Sequence, residues 1–149
     1  MSLVEDFLTK DEELQIVEAI KQAEKATSGE IRGHIEKTAS VAHSTRATEV
    51  FHLLKMDTTQ LQNGVLIYVA VDDHAFVICG DKGINDIVGD NFWTCTKDIM
   101  SSLFKQGEFK EGLIAGIKNA GEQLQKYFPW QQDDVDELSN EISRGDLKN

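Results

Sequence analysis

Several residue types and patterns are scarce in this chain of 149 residues. Its two cysteines, Cys79 and Cys95, are too few for a disulfide scaffold, and neither lies in a Cys/His pattern with zinc-site spacing. No apolar run approaches the ~20 residues that cross a membrane. The start of the chain includes Glu5 and Asp6 and lacks the apolar core of a signal peptide. We therefore expect a cytoplasmic protein with two reduced, buried thiols.

Basic residues are also scarce. Lysine and arginine number 15 against 26 aspartates and glutamates, which gives a net charge of −11 and a pI near 4.7. Such a chain lacks the basic surface that binds nucleic-acid phosphates or anionic lipid headgroups. We expect no nucleic-acid partner and no membrane insertion, whereas divalent cations and basic partners suit this charge.

The single proline and the 11 glycines exclude a low-complexity chain, and 40% hydrophobic residues suffice for one packed domain. The apolar residues change their period along the chain, which predicts the element order α-β-α-β-β-α-α. The predicted elements are a helix capped by Thr9 and Glu12 and ended at Ser28-Gly29, a strand over 30–36, a helix over 44–56, a hairpin of strands 65–71 and 75–79, and helices over 91–105 and 108–128, the first of these two capped by Asp90.

The stretch 65–71 is apolar throughout, which is typical of a strand buried on both faces at the centre of a sheet. Helices before and after a small mixed sheet predict a three-layer αβα sandwich of the α/β class, with helices on both faces. Pro129 closes this domain, residues 1–129. Residues 130–149 form a tail with six acids against Arg144 and Lys148. Its pattern fits either a solvated tail or one that docks on the domain.

Gly112 and Gly116 lie one turn apart in the last predicted helix. Glycine in a helix costs about 1 kcal/mol relative to alanine, so a close packing contact must offset it. We expect this pair to form a groove that packs closely against the sheet.

Five segments, taken in their order and spacing, resemble the TPM domain family. They are Ser28–Ile31, Gln62–Leu66, Val71–His74, Gly80–Ile84 and Phe104–Leu113. The family takes its name from a thylakoid-lumen protein, a photosystem II repair protein and a levamisole-receptor modulator. The similarity covers roughly residues 27–128, and no single motif is diagnostic.

The resemblance implies an αβα sandwich, a divalent-cation site that takes calcium in some members, and the weak acid phosphatase activity of plant members. The chain resembles the stand-alone bacterial version, without the export signal or anchor of most members. Two positions depart from the family pattern. Gln62 stands where the family commonly has aspartate, and His74 stands where it often has arginine. Both departures remove a charged group that bears on metal or anion binding.

The predicted hairpin brings an acidic cluster together. The start of its first strand lies beside the end of its second, so Asn63 neighbours Asp81, and Glu30 joins them if the first strand runs parallel. Asp86 and Asp90 follow within one short loop. Carboxylates, an amide oxygen and loop carbonyls suit Ca²⁺ or Mg²⁺. Together with the resemblance, this predicts a divalent-cation pocket with these five ligands, although each acid singly also fits a helix cap or a turn.

Other polar residues fit structural roles. Asp72-Asp73, at the hairpin tip, fits an Asx-stabilised turn or an auxiliary cation site. His34 is expected to be a surface residue on the polar face of the first strand. Arg32, on the same face, is expected to pair with Glu30 and Glu36 or to hold a phosphate.

Three functions remain open. The first is a monomeric cation-binding interaction or adaptor module, for which a membrane-anchored relative is a candidate protein partner. The second is a weak metal-assisted phosphatase, in which the ion polarises a phosphoryl oxygen. Lys82 is the only base between residues 80 and 90, and the net charge of −11 repels phosphorylated substrates. The third is a structural domain without a specific metal site. The sequence identifies no catalytic residue.

Overall fold

The computed structural model describes residues 9–39, 41–58, 62–70, 73, 75–87, 92–129 and 143–144. The helices are α1 (Lys10–Glu24), α2 (His43–Leu53), the one-turn α3 (Lys82–Asn85), α4 (Thr94–Lys105) and α5 (Phe109–Tyr127), with a 3₁₀ turn at Met56–Thr58. The strands are β1 (Glu30–Glu36), β2 (Gly64–Ala70), β3 (Ala75–Gly80) and β4 (Ser143–Arg144). The predicted element order is confirmed, and the structure adds three short elements, namely the 3₁₀ turn, α3 and β4.

The four strands form one mixed sheet in the order β3-β2-β1-β4. β2 and β3 are antiparallel, whereas β1 runs parallel to β2 and to β4. β4 comes from the tail and pairs with β1 at His34 and Ile35. β1 and β2 are therefore the inner strands, and both faces of each need a cover.

Helices cover both faces of this sheet. Ile31, Ile67 and their neighbours on one face pack against α1, α4 and α5 through residues such as Ile20, Met100 and Ile117. Leu66 and the other residues of the opposite face pack against α2 and the 3₁₀ turn. The predicted three-layer αβα sandwich is confirmed.

The two helix starts predicted from capping residues differ in outcome. At α1 the Glu12 N–H donates to Thr9 Oγ1 over 3.1 Å, and the Thr9 N–H donates to Glu12 Oε1 over 3.0 Å, so the capping box is confirmed. α4 begins at Thr94, three residues after the predicted start, and Trp93 precedes it without a side-chain cap. Trp93 is buried and packs against Phe92, with ring centroids 4.5 Å apart. Asp90 lies outside the described residues.

The close-packing glycines contact a helix, so the prediction that they face the sheet was wrong. A Cβ added to Gly112 would lie 2.6 Å from Phe104 Cδ1, and one added to Gly116 would lie 2.7 Å from Met100 Cγ. Phe104 and Met100 belong to α4, which lies beside α5 on the same face of the sheet. The glycines therefore set the spacing of two helices within one layer.

A third glycine of α5 sets the spacing to α1. A Cβ added to Gly121 would lie 2.8 Å from Ala23 Cβ, which cannot rotate away. We expect Gly121→Ala to lower the free energy of unfolding by up to about 2 kcal/mol in urea denaturation, because overpacking costs about 1–3 kcal/mol against a gain of about 1 in helix propensity. The exchanged pair Ala23→Gly/Gly121→Ala restores the gap and should return to within about 1 kcal/mol of the parent. A single variant more stable than the parent would contradict this close contact.

The two cysteines differ from their predicted burial. Cys79 is half-buried, and burial raises the pKa of its thiol. Cys95 is exposed, so the prediction of a buried thiol was wrong there. The buried face of α4 runs through Thr96 and Met100, which leaves Cys95 on the outer face.

Candidate functional site

Three of the five predicted cation ligands share one end of the sheet. Glu30 of β1 pairs with Gly64 of β2, and on the other side of Gly64 the Asp81 N–H donates to the Gly64 carbonyl over 2.9 Å. The Asn63 carbonyl accepts from the Glu30 N–H over 3.3 Å. Parallel pairing of β1 and β2 thus brings Glu30, Asn63 and Asp81 to the same edge, as the sequence predicts.

These three side chains are buried although they are polar. Glu30, Asn63 and Asp81 are 3%, 1% and 8% exposed. The Asn63 Nδ2 lies 3.5 Å from Ser28 Oγ, which positions the amide against the β1 entry. A buried polar group away from water needs a partner, so this edge has to satisfy several oxygen atoms within a small space.

The two carboxylate oxygens of Asp81 differ, because only one of them accepts a hydrogen bond in the described part of the chain. It caps α3, and its Oδ1 accepts from the Lys82 N–H over 2.7 Å. Its Oδ2 is buried and has no hydrogen-bond partner within the described part of the chain. The indole Nε1 of Trp93, 3.5 Å from the position of a Cβ on Gly80, is likewise buried without a partner there. Within the described ranges, one hydrogen-bond acceptor and one donor near the end of β3 therefore lack a partner.

The remaining two predicted ligands stand differently. Asp86 follows α3 with an exposed side chain, and Asp90 lies outside the described residues. Across the ranges that the structure describes, no three side chains from histidine, cysteine, aspartate and glutamate converge as a metal-binding group. The cation pocket therefore stays a prediction.

A second polar site lies at the opposite end of β1, centred on Glu36. The Arg46 fork from α2 donates to both of its oxygens, over 2.9 Å from Nε and 3.0 Å from Nη2. His34 Nε2 lies 2.9 Å from Oε1, and the Tyr68 hydroxyl donates to Oε2. Glu36 is 1% exposed, and His34 and Tyr68 are fully buried. Each carboxylate oxygen thus accepts two hydrogen bonds, which fills its acceptor capacity.

The ionisation of this Glu36 network follows from its contacts. Burial raises the pKa of Glu36, but the hydrogen bonds from Arg46, Tyr68 and His34 together hold that pKa below its ordinary value. Burial lowers the pKa of His34 in spite of its bond to Glu36. Burial and the Glu36 carboxylate raise the pKa of Tyr68. The site therefore holds an ionised carboxylate, a charged Arg46 and a neutral His34 whose Nε2 carries the proton.

The sequence predicted His34 on the surface, and the structure corrects this, because His34 is buried. Arg46, which the sequence did not identify, forms an ion pair with Glu36. The polar face of β1 is an interior face, because β1 is an inner strand of a sheet with helices on both sides. Arg46, the ion-pair partner of Glu36, comes from the next helix. No local sequence pattern around Glu36 therefore identifies it.

Asp73, at the hairpin tip, anchors the connection between β1 and α2. Its carboxylate accepts from the Thr38 hydroxyl over 2.6 Å, from the Ala39 N–H over 3.1 Å and lies 2.9 Å from His43 Nε2. The bond from Thr38, then those from His43 and Ala39, lower the pKa of Asp73 to about 2. These contacts favour the structural role of Asp73 over an auxiliary cation site. Asp72 and His74 lie outside the described residues.

A groove of about 500 Å³ lies between α1 and α5, away from both polar sites. It is lined by the small or apolar residues Ala19, Ala23 and Ile114 and by the exposed charged residues Glu18 and Lys118. None of the four predicted cation ligands within the described ranges lines this groove. Among the described helices, none is both long and apolar enough for a membrane span.

Among the solved structures that match the chain, one is a near relative and two others are distant. The chain is 61% identical to the BA42 protein of the psychrophilic bacterium Bizionia argentinensis, with a TM-score of 0.91 to its NMR structure over 97% of this chain and 100% of that one. An N-terminal domain from P. gingivalis is 14% identical, with a TM-score of 0.69 over 82% of this chain and 79% of that one. The N-terminal domain of the cg2496 protein from Corynebacterium glutamicum is 10% identical, with a TM-score of 0.62 over 95% of this chain and 82% of that one. The two distant matches share the fold.

No curated protein matches the chain. The TPM domain family matches residues 3–123, which make up most of this chain. That match, the near relative and the sandwich of helices around a small mixed sheet agree with one another. The chain therefore belongs to the TPM domain family.

Proposed function

We propose that this TPM domain binds one divalent cation, Ca²⁺ in preference to Mg²⁺, at the end of the sheet that carries Asp81, and that it acts as an interaction module. The observation that carries the proposal is the buried Asp81 Oδ2, which has no hydrogen-bond partner in the described ranges. A carboxylate oxygen in that state is stabilised by a cation, because isolated burial of a charge is costly.

The neighbours of Asp81 supply further oxygen ligands. Glu30 lies across Gly64 in the same row, and Asn63 adds an amide oxygen and a backbone carbonyl. Ca²⁺ takes about 6–8 oxygens, so the proposed sphere also includes Asp86 and Asp90 or waters in the loop after β3. The ability of Ca²⁺ to accept irregular geometry suits ligands that come from three separate segments.

Calcium binding in this arrangement would join the start of β1, the loop before β2 and the loop after β3. A ligand that binds only the folded state stabilises it by about 2.7 kcal/mol at a concentration 100 times its Kd. The consequence for a module is a rigid surface around residues 80–90 when the ion is present. A partner protein that binds this surface would then bind in a calcium-dependent way.

The test is a calcium titration of metal-free protein, followed by amide NMR shifts, with Mg²⁺ as the second ion. We expect saturating shifts confined to Glu30, Asn63 and residues 81–90. Asp81→Asn should weaken affinity about tenfold or more, because it removes the carboxylate ligand. Asparagine also caps helices well, so the variant should keep α3.

The matched control is Asp11→Asn, the same change at an exposed acid in the first turn of α1. Glu24, at the other end of α1, bonds to the Ile31 N–H, so Asp11 lies about 20 Å from the proposed site along the helix axis. This control should bind calcium as the parent does. Weak shifts that spread over the acidic surface without saturation, or equal losses in both variants, would overturn the proposal and favour a structural domain without a specific ion site.

A phosphatase activity is the less favoured alternative. Lys82, next to Asp81, is exposed, and it is the only base in residues 80–90. Few positive groups are thus available to hold a phosphoryl dianion, and the net charge of −11 opposes its approach. Phosphatase turnover that Asp81→Asn abolishes and Asp11→Asn preserves would favour this alternative.

A further inference from the structure

β3 is an edge strand whose residues are apolar but only partly covered. It lies at the end of the strand order β3-β2-β1-β4. All seven residues of β2 are buried, whereas five of the six residues of β3 are half-exposed. Its sequence, Ala-Phe-Val-Ile-Cys-Gly, contains no charge and no proline, and its pairing with β2 is continuous without a bulge. Edge strands of natural proteins usually carry a charged residue, a proline or a bulge, which prevents pairing with other chains.

The hydrogen-bond register shows which main-chain groups face outward. The Asp81 N–H bonds to Gly64, so bonded pairs alternate along β3 and include Cys79, Val77 and Ala75. Phe76 and Ile78 therefore direct their N–H and C=O groups away from β2. Within the described part of the chain, no hydrogen bond reaches these four groups. The next outward carbonyl, that of Gly80, accepts from Asn85 Nδ2 over 3.0 Å, which ends the open stretch.

We propose that β3 is a docking edge for an extended, basic peptide segment of another protein, which adds a strand to the sheet. Such a segment pairs its backbone with Phe76 and Ile78, and its side chains lie beside apolar residues on both faces of the sheet. This inference is separate from the proposed cation site, since the open groups point away from the row of Glu30 and Asp81.

Charge and size favour this occupant over a second copy of the chain. Two copies would each bring a net charge of −11 to the contact. A stable interface uses about 20–30 residues a side, far more than the six residues of β3. A short segment with lysine or arginine around an apolar centre instead gains from the acidic protein and needs only a few main-chain bonds.

The probe is a blocked peptide with four alternating threonines and valines between pairs of lysines, added to isotope-labelled, metal-free protein. We expect shifts centred on Phe76 and Ile78 and slower exchange of their amide hydrogens by about tenfold or more. A peptide with its four central amides N-methylated should not bind, because it cannot donate main-chain hydrogen bonds. The affinity of a peptide with glutamates in place of the lysines should be lower by at least about tenfold.

A pair of variants tests the same edge from the protein side. Phe76→Pro removes an outward N–H without loss of a bond to β2, and proline is tolerated in that position of an edge strand. Phe76→Ala removes the same ring contact with Phe104 but keeps the N–H. We expect peptide protection of the Ile78 amide in the alanine variant and its loss in the proline variant.

Four results would overturn the proposal. The first is protection of the Phe76 and Ile78 amides in the free protein equal to that of Val77 and Cys79. The second is equal shifts with the N-methylated peptide, and the third is no shift at millimolar basic peptide. The fourth is protection of the edge that rises with protein concentration alone, which would assign the edge to a second copy.

Discussion

Glu36→Gln is expected to lower the free energy of unfolding by about 3–5 kcal/mol, because it removes the anion from a buried ion pair and leaves Arg46 charged. Glutamine has nearly the same shape, but its amide group is a donor. Arg46, His34 and Tyr68 all donate to this position, so at least one donor would face another donor. Urea denaturation of the parent and the variant measures the difference.

The matched control for this variant is Glu122→Gln on the exposed side of α5. It changes the net charge by the same amount, and surface substitutions usually stay within about 0.5 kcal/mol. The comparison therefore removes any general effect of charge on an acidic protein. A loss below about 1 kcal/mol for Glu36→Gln would show that Glu36 is solvated rather than enclosed.

Lowering the pH from 7 to 5 is expected to destabilise the protein through His34. Burial holds the pKa of His34 below its ordinary value of 6.5 in the folded chain. The unfolded chain therefore takes up the proton first, and stability falls as the pH drops below about 6.5 until the folded His34 also titrates. Glu36 opposes this effect, and Arg46 and Arg32 add to it, because the former stabilises the imidazolium and the latter two repel it.

The measurement is the thermal midpoint at pH 7 and at pH 5 for the parent and for His34→Gln. Glutamine places an amide N–H near Nε2 and so keeps the bond to Glu36 without a group that titrates in this range. The parent should lose several degrees more than the variant, since about 1 kcal/mol corresponds to about 2–4 °C for a chain of this size. His43 and His52 are present in both proteins, so their contributions cancel. Equal losses would show that His34 does not carry the pH dependence.

Below pH 4.5 a second loss is expected from Glu36. Its pKa is held below 4.5 in the folded state, so its stabilising contribution is present above that pH and is lost as the pH falls further. This acid step should persist in His34→Gln, whereas the step between pH 6.5 and 5 should not. The two windows separate the contributions of two residues that touch each other.

The sequence predicted the fold well because its signals are local. The bounds of β1 agree with its alternating pattern over residues 30–36, and Thr9 and Glu12 form the expected capping box. The one-turn helix Lys82–Asn85 was missed because four residues carry no periodicity. The start of α4 was misplaced by three residues, because the helix begins after Trp93 without the side-chain cap on which the prediction relied.

The polar sites were only partly predictable, for a different reason. The hairpin and the parallel start of β1 were enough to place Glu30, Asn63 and Asp81 at one edge. The network around Glu36 was missed because alternation cannot distinguish a solvated polar face from one that a charged helix covers. The predicted layers contain the needed signal, since helices on both faces leave an inner strand no side open to water. Arg46 still could not be identified, because its match to Glu36 depends on how α2 crosses the sheet.

The N-terminal entry of β1 is fastened by residues about a hundred positions later. Thr27 and Ser28 donate to the Phe128 carbonyl across sequence separations of 101 and 100 residues, and β4 pairs with the outer side of β1 through residues 143–144. While a ribosome is still making the chain, β1 has neither of these contacts. The strand that carries the buried Glu36 and His34 then has a partner on one side only. An early-formed β1 can pair with β2, but its other edge stays unpaired until β4 is made. The completed sheet therefore depends on contacts from Phe128 and from residues 143–144, which are synthesised long after β1.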